Sequence, residues 1–130
     1  MEGNYAVNVG HFAEGHFIKS FEKKYRSHWD ATLIAIIRGL ERVDMLLLTD
    51  RAETICDVDG VKIIKTKFKI AVSKESAKTS GNRCIVAWHQ DKQFVSILLV
   101  YTKTDVRGNR ETDWWKAMIR DNYPEYKKLL

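Results

Sequence analysis

Four runs rich in β-branched and aromatic residues follow one another between residues 53 and 103: "ETICDV", "VKIIKTKFKIAV", "RCIVAWHQ" and "FVSILLVYTK". Only short, polar stretches separate them: Asp59-Gly60, "SKESAKTSGN" and Asp91-Lys92. Parallel neighbours need a crossover of about a dozen residues or more, usually a helix. None of these connections has room for one. The runs therefore predict a small, mostly antiparallel sheet. "FVSILLVY" is apolar at successive positions, as a strand covered on both faces must be.

The segments on either side have a different period. "NYAVNV" alternates and predicts a short first strand. In "EGHFIKSFEKKYRSH", Phe17, Phe21 and Tyr25 recur every fourth residue, with Ile18 beside them, which gives the apolar stripe of a helix. Asp30 is placed to cap a second helix, "ATLIAIIRGLERVDMLLL", on which Leu33, Ile37, Leu40 and Leu47 share roughly one face. Gly39 weakens that helix. "RETDWWKAMIRDNY" returns to helical spacing through Trp114, Trp115, Met118 and Ile119, and Pro124 ends it. The fold class is α+β. Two N-terminal helices pack on the sheet, a C-terminal helix follows, and the helices are expected on one face.

A chain of 130 residues, 45 % hydrophobic and 11 % aromatic, suits a single domain over residues 1–130 with a real core. Two cysteines, Cys56 and Cys84, make no disulfide framework, and no Cys/His spacing suggests zinc. Carboxylates do not cluster, so no metal or other cofactor is expected. "MEGNYAVNVG" lacks the basic start and apolar run of a signal peptide, and "MLLL" is too short to span a bilayer. A reduced, cytoplasmic protein with no membrane partner is the expectation. The net charge of +5 favours an anionic partner.

Part of that charge is concentrated in "VKIIKTKFKI". Successive side chains of a strand point to opposite faces. Ile64, Phe68 and Ile70 fall on one face, and Lys65, Lys67 and Lys69 on the other. The lysines are either a solvated face or an anion site. What lies beside them depends on register. If the hairpin of the last two runs turns near Lys92, Arg83 lies opposite Tyr101, with Lys103 just past the strand end. With "SKESAKTSGN" as a regular turn, Arg83 faces Val72. If that run loops out instead, Lys65 or Lys67 slides close to Arg83. The second arrangement gathers three or four cations on one face, the chemistry for gripping a phosphate.

Three elements in order, Lys65-Thr66-Lys67-Phe68, Ala77-Lys78-Thr79-Ser80-Gly81-Asn82-Arg83 and Tyr101-Thr102-Lys103, resemble the RelE/HigB branch of the RelE/ParE toxin superfamily. The resemblance covers roughly residues 10–122. It implies a RelE-like toxin domain of a type II toxin-antitoxin system, neutralised by a cognate antitoxin. It also implies a metal-independent endoribonuclease that cleaves mRNA, usually on the ribosome. There the ribose 2′-hydroxyl attacks the adjacent phosphate and leaves a 2′,3′-cyclic phosphate. That reaction needs positive charge at the phosphate, a base and an acid. Carried over residue by residue, Lys65, Lys67, Arg83 and Lys103 are the catalytic cations. Lys69, Lys78, Tyr101 and Arg107 are the candidate RNA contacts around them.

The chain also departs from the family pattern. Thr104 stands where some relatives carry arginine; Arg107 and Arg110 are the candidates to replace it, and nothing in the sequence chooses them. Ala77 and Ser80 replace two glycines of the hairpin motif. The C-terminal tyrosine or histidine of some relatives has no match at suitable spacing, since Tyr123 and Tyr126 lie beyond it. His89 has a suitable pKa for an acid, but it lies six residues from Arg83, about 20 Å along a strand. Trp88, Trp114 and Trp115 read as core and helix packing before base stacking. Two rival functions stand beside the ribonuclease: a ParE-like inhibitor of a protein such as gyrase, and a basic RNA-binding module without cleavage. The cationic quartet argues against the first.

Overall fold

The computed structural model describes residues 4–106 and 110–130. Strand β1 (Ala6–Val9) leads into a π-helical segment (Ala13–Ile18) and then α1 (Lys19–Tyr25), α2 (Ser27–Leu40) and the short α3 (Val43–Leu46). Strands β2 (Ala52–Val58), β3 (Val61–Lys67), β4 (Asn82–His89) and β5 (Phe94–Thr102) follow. A 3₁₀ turn (Lys103–Asp105), α4 (Glu111–Asn122) and a second 3₁₀ segment (Pro124–Leu129) complete the described chain.

The strands form one sheet in the order β1-β5-β4-β3-β2. β2 through β5 are antiparallel, as their short connections require, and β1 joins the far edge parallel to β5. Asp59 and Gly60 both have positive φ, 54° and 80°. They form a two-residue turn with the twist that antiparallel strands favour, and glycine adopts that conformation without strain. β4 and β5 are central, and nearly every residue in them is buried.

Three expectations about the second helix change. Trp29 is fully buried and stacks on Phe21 at 4.7 Å. That contact draws the start of α2 back to Ser27, with Arg26 before it at φ 52°. Asp30 is therefore in the first turn of the helix, where its charge suits the dipole, and is not the cap. The buried seam of α2 is Trp29, Thr32, Ile36 and Leu40, while Leu33 and Ile37 are only half-buried. The long second helix also breaks after Leu40, close to Gly39, and the Glu41 carbonyl accepts the Tyr5 N–H at 2.8 Å.

The helices cover both faces of the sheet, not one. Phe68, on the face of Ile64 and Thr66, packs against Phe21 and Trp29, with centroids 5.9 and 6.1 Å away. The opposite face carries Tyr101 and His89. Tyr101 meets Glu111 and Trp114 of α4, and His89 meets Tyr126 of the following turn. The core thus has two layers, and the lysine-bearing face of β3 lies on the α4 side.

Two irregularities set the register. β3 stops at Lys67, short of the predicted Val72. The backbone from 68 to 81 leaves the sheet and is held by side chains. Thr32 Oγ1 accepts the Ala71 N–H at 2.7 Å, and the Ser80 hydroxyl donates to the Phe68 and Ala77 carbonyls at 2.7 and 2.8 Å. The second irregularity is a bulge in β5. Ile85 pairs with Leu99 but Val86 with Ile97, so Leu98 is an extra residue. Its carbonyl accepts the Tyr123 hydroxyl at 2.8 Å.

Candidate functional site

With "SKESAKTSGN" looped out, Lys67 lies directly opposite Arg83, and Arg83 directly opposite Tyr101. Residues opposite one another share a face, and so do residues two apart on one strand. Lys65, Lys67, Arg83 and Tyr101 therefore form one cluster at the same end of the sheet. Lys103 begins the 3₁₀ turn just past β5, and its N–H donates to the Gly81 carbonyl at 2.9 Å. An extra Cβ on Gly81 would come within 3.8 Å of the Lys103 side chain, which places Lys103 beside the entry to β4.

The cations are not equivalent. Arg83 is 3 % exposed. Its guanidinium donates to the Asn82 carbonyl at 2.9 Å, to Lys78 at 3.2 Å and to Ala77 at 3.4 Å. Its Nε is buried and has no hydrogen-bond partner among the described residues. Arg83 therefore holds the residue 77–82 loop, and its charge meets no carboxylate within ion-pair distance among the described residues. The Lys65 ammonium is bound to Glu111 Oε2 at 2.9 Å. Lys67 Nζ lies 3.4 Å from the Asp50 carbonyl, and Lys69 Nζ lies 3.4 Å from that of Ser73. Neither of these two is paired with a carboxylate among the described residues.

Glu111 ties the cluster together. Its Oε2 also accepts the Tyr101 hydroxyl at 2.5 Å. Burial pushes this carboxyl upward. The hydrogen bonds from Tyr101 and Lys65 and the charges of Lys65 and Lys103 outweigh burial and hold it below the usual carboxylate range. Tyr101 is driven far above the ordinary phenol value, first by burial and then by its bond to the Glu111 carboxylate, with Arg83 opposing. Tyr101 is thus a fixed neutral donor at neutral pH.

Beside the cluster, past the end of β3, a groove of about 420 Å³ is lined by Arg51, Lys67, Lys69 and Lys78, with Asp50 as the one carboxylate among the described lining residues. Such a groove suits a polyanionic backbone. His89 sits at the other end of β4, bonded to the Tyr126 hydroxyl at 2.7 Å and stacked on Phe94 at 4.2 Å. Burial, then the charge of Lys92, lowers its pKa from 6.5. Trp115 is buried in the core, and Trp88 packs edge-on against Tyr5. No group of three or more His, Cys, Asp or Glu side chains suited to a metal is found among the described residues. No described helix is long and apolar enough to cross a membrane.

The architecture has a known counterpart. A chain in the crystal structure of the archaeal RelE-RelB complex from Pyrococcus horikoshii OT3 superposes with a TM-score of 0.56 over 82 % of this chain and 99 % of that one. The fold is RelE-like. Sequence identity over the match is 11 %, so the likeness is one of architecture. No family model matches the sequence, and no curated protein matches it.

Within the RelE-like sheet, Lys65, Lys67, Arg83 and Tyr101 come together, with Lys103 at their edge. Lys69 and Lys78 line the neighbouring groove. Arg107 lies outside the described residues. Sequence reasoning missed Arg51 and Glu111. Neither carries a local signal, because one follows α3 and the other begins α4, and only the fold brings them to β3.

Proposed function

We propose that this protein is the toxin of a type II toxin-antitoxin system, a single RelE-like domain that acts in the cytoplasm as a metal-independent endoribonuclease on mRNA at the ribosome. The observation that carries this reading is the direct alignment of Lys67, Arg83 and Tyr101 across β3, β4 and β5, with Lys65 on the same face. In this reading, a phosphate of the RNA backbone is gripped there while the ribose 2′-hydroxyl attacks it. Lys65, Lys67, Arg83 and Lys103 offset the charge that builds on the phosphate oxygens. Lys69, Lys78, Tyr101 and Arg107 hold the flanking RNA. The match to a chain of a RelE-RelB complex supports a cognate antitoxin as the protein partner.

A second reading, RNA binding without cleavage, is favoured by the burial of Arg83, whose guanidinium already serves the 77–82 loop. One experiment separates the two. The protein is induced in bacteria, and a reporter mRNA is mapped by primer extension, beside a Lys65→Ala/Lys67→Ala variant. Growth arrest with new 5′ ends, both lost in the variant, is the outcome expected of the ribonuclease. Arrest without new ends points to a protein target, as in the ParE-like alternative. RNA retention without arrest or cleavage leaves the binding module.

A further inference from the structure

Lys65 is on β3 and Tyr101 on β5, with β4 between them. Strands lie about 4.8 Å apart and Lys65 is two residues off the Lys67–Arg83–Tyr101 line, so the two residues are separated by about 12 Å at the backbone. A single carboxylate oxygen of Glu111 accepts from both, at 2.9 and 2.5 Å. Glu111 therefore spans β4 on the face where Arg83 pairs with Lys67 and Tyr101. It is the one carboxylate within 4.0 Å of any of the four cations among the described residues. An anion approaching Lys65 from this face meets the Glu111 carboxylate already in place.

We propose that Glu111 is a built-in anion occupying the phosphate position of the cationic face, so that RNA gains Lys65 only by displacing it. This rests on the reading of that face as an RNA site. The role differs from general base catalysis. Both donors bind the same oxygen of Glu111, and a carboxylate stabilised in this way is a poor proton acceptor. It acts on affinity, by competing with the ligand for a cation. Because the pair is mostly shielded, at 15 % and 20 % exposure, the competition is stronger than between exposed charges.

The test measures binding of a short 2′-O-methyl RNA, which cannot be cleaved, as a function of salt. Glu111→Gln keeps an oxygen to accept from Tyr101 and removes the charge; its melting curve checks the fold. The variant is expected to bind about three- to tenfold tighter than the parent, in line with freeing one partly buried cation. Its salt slope is expected to steepen by about 0.7, one more released counterion on a single strand. Lys65→Met should erase the gain, so that Glu111→Gln/Lys65→Met binds no tighter than Lys65→Met alone. Equal or weaker binding by Glu111→Gln, with the parent still binding, overturns the proposal. If neither protein binds RNA, the RNA reading fails. Titration with inorganic pyrophosphate then decides the matter for Glu111. A several-fold tighter Kd in Glu111→Gln upholds the built-in anion, and equal values overturn it.

Discussion

Arg83 stands opposite Tyr101 because β5 carries Leu98 as an extra residue. Val86 pairs with Ile97; continuing that register without the bulge would set Arg83 against Val100 and turn Tyr101 to the other face, away from the cluster. The bulge frees the Leu98 carbonyl, and Tyr123, the residue after α4, supplies the missing donor. The same hydroxyl accepts the Ala13 N–H at 3.0 Å. One buried tyrosine thus links the C-terminal helix, the bulge and the N-terminal helical segment.

Tyr123→Phe should therefore cost more than a surface change. It leaves a buried N–H and a buried carbonyl short of a partner, each worth about 1–3 kcal/mol when orphaned. A fall in Tm of roughly 7–20 °C is expected in a thermal melt. An unchanged Tm would mean that other groups satisfy the bulge.

Arg83→Ala should lower stability by about 2 kcal/mol, because the guanidinium bonds to the loop carbonyls of Asn82 and Lys78 are lost. The urea midpoint reads this directly. Loss of growth arrest in this variant counts as loss of a catalytic group only if the soluble, folded amount matches the parent. A midpoint equal to the parent's would show that the arginine is not needed for the loop.

Lys67→Ala with Lys69→Ala should weaken RNA binding and flatten its salt dependence. Both lysines line the groove, and neither has a carboxylate partner among the described residues. Removing two phosphate contacts to a single strand should reduce the slope of log K against log salt by about 1.4. An unchanged slope would reduce the "KTKFK" strand to solvated surface.

Stability should fall as pH drops from 7 toward 5 through a contribution from His89. Its folded pKa is below 6.5, through burial and then the charge of Lys92. Between that lowered value and 6.5 the unfolded chain binds more protons than the folded one, so acid favours unfolding. Urea midpoints taken across this range should decline less steeply in His89→Gln. Parallel declines in the two proteins would assign the pH dependence elsewhere.

Much of the fold follows from local pattern. The short connections dictate antiparallel pairing for β2 to β5, since no crossover fits between them. The alternation in "VKIIKTKFKI" separates a buried face from a charged one from Ile64 to Lys67, because a pleat has a period of two, and the same alternation of burial continues to Ile70 beyond the strand end. The apolar "FVSILLVY" identifies a central strand for the same reason. Phe17, Ile18 and Phe21 point inward because a helix repeats about every four residues.

Distance along the chain hid the rest. Trp29 shifts the start of α2 through a contact with Phe21 that no capping rule contains. Choosing between Arg83 facing Val72 and Arg83 facing Lys67 required knowing that Thr32 and Ser80 would satisfy the looped-out backbone. The Leu98 bulge depends on a tyrosine 25 residues away. Glu111 is one carboxylate among many in the sequence, and becomes the partner of Lys65 and Tyr101 only because α4 packs on the lysine-bearing face. Period and composition assign residues to faces; which faces and strand ends meet is decided by hydrogen bonds and packing between distant segments.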